Sequence, residues 1–197
     1  MLGSLLRRAL FIRTTQTPNP SFLKFMPGKT VMEEGTMDFS APRFATISPL
    51  ARNIFNIQGV TRVFYGKDFI AVGKQEEVDW SILKPLVFEA IMEQFSSPKQ
   101  LFSDEPQPED TKILETDTET VALIKEILDA RVRPFVQEDG GDIKFIKFEE
   151  DVGRVLIQMR GSCTGCPSSA VTLKNGVEKL LKYYVPEVQV VESVDLS

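Results

Sequence analysis

The chain has 197 residues, enough for one or two domains. Hydrophobic residues make up 42% and charged residues 26%, ordinary values for a soluble globular protein. The net charge of −5 argues against nucleic acid as the default partner, and two cysteines are too few for a secreted disulfide scaffold.

The chain opens with MLGSLLRRALFIRT, in which leucines and Phe11 interleave with Arg7, Arg8 and Arg13. No acid precedes Glu33. An acid-free, arginine-bearing amphipathic start predicts a mitochondrial transit peptide over residues 1–14. It is too short and too charged to span a membrane, and it lacks the unbroken apolar core of a secretory signal. No later stretch is apolar for long enough to cross a bilayer.

A first module is expected over residues 15–102. SFLKFMPG reads as a strand ended by Pro27 and Gly28. SPLARNIFNI reads as a helix capped by Ser48, with Pro49 at its first position and Leu50, Ile54 and Ile57 on one side. VTRVFYGKDFIAVGK predicts a hairpin turning at Gly66 and Lys67. A second helix follows in DWSILKPLVFEAIMEQF, with Leu83, Val87, Ile91 and Phe95 in line and Pro85 as a source of a shifted start or a kink.

Residues 103–118 carry six acids against one base, together with Pro106 and Pro108. That composition buries little apolar surface and predicts an acidic linker over 103–117.

The second module is expected over residues 118–197. Its first helix carries a stripe of Val121, Ile124, Leu128, Val132 and Phe135, with Thr116 and Glu119 at capping-box spacing. Asp139-Gly140-Gly141 breaks the pattern. DIKFIKF and RVLIQM read as strands joined through EEDVG. A helix over roughly 168–184 should turn Val171, Val177, Leu181 and Tyr184 inward, and PEVQVVESV should form an edge strand from Pro186. The fold class is therefore α+β: two small two-layer α/β domains joined by a flexible acidic linker.

Both cysteines, Cys163 and Cys166, fall in RGSCTGCPSSAVTLKNG, between a strand and a helix. Two cysteines placed at random in this length stand three apart about one time in a hundred, so the spacing carries meaning. C-x-x-C turns two sulfurs toward one point: a metal, a cluster or a disulfide. Gly161 and Gly165 allow a sharp bend around a bound group, whose sulfurs backbone amides could hydrogen-bond. Pro167 suits a helix start, and a thiol at a helix N-terminus is favoured as thiolate. The chain has no histidine, which excludes Cys–His nucleophile pairs and mixed Cys/His zinc sites. No P-loop, dinucleotide-binding or metalloprotease motif is present, and FEED reads as a solvated turn.

Iron–sulfur clusters of both 2Fe–2S and 4Fe–4S type usually take four cysteines, and a two-fold dimer of this loop supplies them. A cluster at such a subunit joint is exposed and can leave, which suits delivery better than permanent electron transfer. Two other readings use the same residues. A thiol–disulfide oxidoreductase also employs C-x-x-C, but here the motif comes late in the chain and no aromatic residue flanks it. A zinc-bridged structural dimer is the third.

VRPFVQEDGGDI followed by GSCTGCPSSAVTLKNGVE resembles the C-terminal domain of the Nfu (NifU-like) iron–sulfur cluster proteins. TPNPSFLKFMPG resembles the N-terminal domain joined to it in mitochondrial members, with Phe22 where the family usually has a small residue. The likeness covers roughly residues 16–190. It implies a carrier in the mitochondrial matrix, not an enzyme, that receives a 4Fe–4S cluster from upstream assembly proteins. Lipoyl synthase and respiratory-chain iron–sulfur subunits are the implied recipients. The implied cluster and metal ligands are Cys163 and Cys166, bridging a homodimer.

Overall fold

The computed structural model describes residues 11–96, 100–103, 112–164 and 167–194, with only the backbone at 167–170. Two sheets organise it. The first has five strands in the order β1-β2-β5-β4-β3, all antiparallel: β1 (Arg13–Gln16), β2 (Phe22–Met26), β3 (Met37–Phe39), β4 (Val60–Tyr65) and β5 (Ile70–Lys74). β1 pairs Arg13 with Met26 and Thr14 with Phe25, so the last two residues of the expected 1–14 leader belong to the sheet. Residues 1–10 lie outside the described ones.

β4 and β5 form the hairpin expected at Gly66, whose N–H donates to the Phe69 carbonyl at 3.0 Å. Helix α1 (Pro49–Phe55) begins as its residues dictate: the Ser48 hydroxyl accepts from the Ala51 N–H at 3.2 Å, and Pro49 follows. Helix α2 (Trp80–Ser96) contains Pro85 as its sixth residue, with Leu83, Val87 and Ile91 fully buried. Both helices cover one face of the sheet around Phe25, Leu50, Ile54 and Tyr65. Burying each such side chain stabilises the fold by about 1.5–3 kcal/mol. The opposite face carries a smaller cluster of Phe22, Phe64, Phe69 and Ala71. The Phe22 ring lies over Gly73, where a Cβ would come within 2.7 Å of it. β1, β3 and a 3-10 turn at Pro42–Ile47 have no clear signal in the sequence, because each is short: four, three and six residues.

The second sheet has the order β6-β7-β8: β6 (Gly141–Glu149) and β7 (Arg154–Gly161) antiparallel, β8 (Val190–Ser193) parallel to β7. The helix preceding it is divided. α3 (Glu119–Ile127) starts at a Thr118 cap, not at Thr116, with the Thr118 hydroxyl accepting from the Val121 N–H at 3.3 Å. A π turn (Leu128–Val132) then leads into α4 (Arg133–Glu138). Pro134 has no N–H to give, and the wider turn ends just before it. The extra residue per turn advances the apolar stripe by one position. Val136 is buried, while Phe135, expected inside, is 69% exposed.

Helix α5 (Pro167–Tyr184) connects β7 to β8. Val177 and Leu181 face the core as expected. Val171 does not, because six residues make about one and two-thirds turns and set it about a third of a turn off the face of Val177; it is 56% exposed. Tyr184, at the end of the helix, is 42% exposed, and Val185 takes the inward place. β8 starts at Val190, four residues after Pro186, which lies in the preceding turn. Residues 104–111 of the expected linker lie outside the described ones. No helix among the described residues is long and apolar enough to cross a membrane.

Candidate functional site

β7 ends at Gly161, whose φ of +58° turns the chain sharply into Ser162, Cys163 and Thr164. The turn is laced to the Asp139–Asp142 segment, where α4 gives way to β6. The Ser162 hydroxyl donates to the Asp139 carbonyl at 2.6 Å, and the Ser162 N–H to the Gly140 carbonyl at 3.2 Å. Gly140 sits at φ +82°. Within the turn, the Cys163 N–H donates to the Arg160 carbonyl at 3.3 Å, and the Thr164 hydroxyl to the Gly161 carbonyl at 2.7 Å.

The double glycine is the seat of the cysteine. A Cβ on Gly141 would lie 2.4 Å from Cys163 Sγ, so only a bare Cα leaves room for the sulfur. The thiol is 8% exposed and joins the core of the second domain. Burial, then the nearby Asp142 and Asp139 carboxylates, pushes it up to about 12. The neighbouring Ser162 side chain and a hydrogen bond from the Asp142 amide oppose that shift. A cation supplies what such a thiol needs in order to become thiolate. A cavity of about 240 Å³ opens beside it, lined by Pro18, Phe135, Asp139, Ser162, Thr172 and Leu173 among others. Cys166 and Gly165 lie outside the described residues.

Asp142 anchors this arrangement from below. It is fully buried and ion-paired to Arg133, with Nε 3.2 Å from Oδ1. It accepts from the Thr36 hydroxyl at 2.5 Å and from the Ile143 N–H at 2.8 Å. Burial holds its carboxyl above the usual carboxylate range, and Arg133 opposes the shift. Removing one partner of a buried pair costs about 3 kcal/mol where the other charge is left alone, and less here because Arg133 also pairs with Asp129 at 3.0 Å. Asp142→Ala should therefore lower the urea midpoint of unfolding, and Asp142→Asn less, since an amide still accepts from Thr36. Equal midpoints for Asp142→Ala and the unsubstituted protein would show that the pair does not matter.

Reading the sequence picked out the cysteines and took Asp139-Gly140-Gly141 as a helix break. The pattern does not show that Gly141 seats Cys163, that Asn19 and Arg62 of the first domain reach this loop, or that Thr36 reaches Asp142 beneath it. The doubled glycine beside an aspartate was the one available signal.

A profile described as "Scaffold protein Nfu/NifU N terminal" matches residues 12–98, and one described as "NifU-like domain" matches residues 124–192. The chain is 54% identical over 188 residues to "NifU-like protein 5, mitochondrial" of Arabidopsis thaliana, covering 94% of this chain and 68% of that protein. It is 53% identical over 188 residues to "NifU-like protein 4, mitochondrial" of the same plant, covering 94% and 66%. It is 50% identical over 195 residues to "NFU1 iron-sulfur cluster scaffold homolog, mitochondrial" of Drosophila persimilis, covering 98% and 68%. The chain thus spans about two thirds of the length of these relatives. With an N-terminal and a cysteine-bearing domain each matched in order, at half-identity across nearly its whole length, the chain belongs to the Nfu (NifU-like) family.

Proposed function

We propose that this chain is a carrier whose cargo is a 4Fe–4S cluster, and that it is not an enzyme. Cys163 and Cys166 of two copies supply the four thiolates; a 2Fe–2S cluster would satisfy the same set. The observation that carries the reading is Cys163 seated on Gly141 at the end of β7, within a C-x-x-C segment of the domain that matches the NifU-like profile. Relatives named as iron–sulfur cluster scaffolds and as mitochondrial support it. So does the arginine-bearing start, which directs the chain to the mitochondrial matrix on this reading. Upstream assembly proteins load the cargo, and apo iron–sulfur proteins such as lipoyl synthase and respiratory-chain subunits receive it.

Anaerobic reconstitution followed by size-exclusion chromatography tests this, with iron and protein quantified across the peak. The expected result is a dimer with one cluster per two chains, which activates an apo-acceptor faster than free iron and sulfide. Insulin-disulfide reductase activity should be slight. A holo-protein that runs as a monomer with a full cluster on each chain, without added thiol, would reject sharing. Strong reductase turnover without cluster transfer would reject the carrier, and bound zinc in place of iron would favour the structural dimer.

A further inference from the structure

The second face of the five-stranded sheet, left open by α1 and α2, is turned to the cysteine loop. Phe64 and Ala71 on that face are fully buried. A Cβ on Gly161 would lie 2.9 Å from the Phe64 ring, and one on Gly140 would lie 3.6 Å from Ala71. Around this apolar contact sit four polar ties. Asn19, 4% exposed, donates from Nδ2 to the carbonyls of Ser162 at 3.2 Å and Thr164 at 2.8 Å, one on each side of Cys163. Its own turn is set by Thr17, whose hydroxyl donates to the Asn19 carbonyl at 2.7 Å. Arg62, gripped by both oxygens of Asp38 at 2.8 Å, donates from Nη1 to the Thr164 hydroxyl at 3.1 Å. Lys24 donates to the Gln137 and Glu138 carbonyls at 3.3 and 3.1 Å, and Thr36 reaches Asp142.

Asn19 and Arg62 of the N-terminal domain thus end on the loop that holds Cys163, while Lys24 and Thr36 reach the adjoining 137–142 segment. Pro18 also forms part of the cavity wall beside the thiol. A cluster shared between two copies needs the partner's loop to come within bonding reach of the same sulfur. With Asn19 holding both flanking carbonyls and Pro18 in the cavity wall beside the sulfur, the first domain takes up space on this side of the loop.

We propose that this sheet face is a docking surface for the chain's own cysteine loop, with Asn19 as the latch, and that the docked state and the cluster-bridged dimer exclude one another. The N-terminal domain then guards Cys163 until loading and is displaced by it. The exclusion rests on the shared-cluster reading above; the docking itself does not.

The test uses the full apo chain in a Cys166→Ser background, so that one thiol reports, and follows iodoacetamide modification of Cys163 by mass spectrometry. Modification of a buried group tracks the fraction of time its cover is open. Loss of the two Asn19 hydrogen bonds should raise the rate about fivefold or more in Asn19→Ala, with Arg62→Ala giving a smaller rise. With both cysteines restored, cluster uptake in Asn19→Ala should accelerate by a similar factor. Modification at the unsubstituted rate in both folded variants would overturn the latch, as would slower uptake. Global unfolding of both variants would also count against it, because a latch between two separately cored domains is removable without melting either. If no cluster binds at all while modification still accelerates, the docking stands and the shared-cluster reading fails.

Discussion

Cys163→Ser is expected to yield a folded protein that no longer retains an iron–sulfur cluster through gel filtration. Serine's hydroxyl is a poor ligand for iron at neutral pH, and a dimer of the variant offers two thiolates where four are needed. No histidine exists to stand in for the missing sulfur. The cost to the fold is real but small. From the sequence alone the thiol reads as a loop group with little packing, yet it is 8% exposed and belongs to the second domain's core. Replacing it with a buried hydroxyl, which can still take the Asp142 amide, costs about 1 kcal/mol. For a domain of this size that lowers Tm by about 4–8 °C. Iron and sulfide analysis after desalting, beside a melting curve, checks both halves. Full cluster retention by a folded Cys163→Ser protein would remove this residue from the ligand set.

Gly141→Ala should destabilise the second domain and displace the cysteine at once. The added Cβ would stand 2.4 Å from Cys163 Sγ, 2.7 Å from the Arg160 carbonyl oxygen and 3.0 Å from the Cys163 nitrogen. Two of those three are backbone atoms tied into the β6–β7 ladder and its turn, so they cannot move aside cheaply. Overpacking of this kind costs about 1–3 kcal/mol, and the upper end applies here. Gly176→Ala in α5 is the counterpart. Nothing lies within 4 Å of its Cβ, and alanine in a helix interior gains about 0.5–1 kcal/mol over glycine. Thermal melts of the two variants should shift in opposite directions. A Gly141→Ala protein with unchanged Tm and unchanged Cys163 reactivity would contradict the seating of the sulfur.

Much of the architecture was legible from local signals. The Ser48-Pro49 helix start, the Gly66 hairpin, the β6–β7 pair and the strand-to-helix position of the cysteines all depend on neighbours within a few residues. The errors have local causes that periodicity alone does not register. A π turn before Pro134 moved the buried place from Phe135 to Val136. Tyr184 fits the stripe of α5 by angle but lies at the helix end, where Val185 faces inward in its place.

What the residues determined by themselves is the chemistry on offer: two thiols at C-x-x-C spacing, no histidine and a basic start. These are properties of composition and short spacing, which survive any folding. What only the tertiary structure decided is how the thiol is held. Gly141 faces Cys163 because β6 and β7 pair in a register that sets Gly141 opposite Gly161. Asn19 meets Thr164 across 145 residues because the open face of one sheet settles on the loop that leaves the other. Contacts of that range follow from the packing of apolar faces, and no pattern within either segment encodes them.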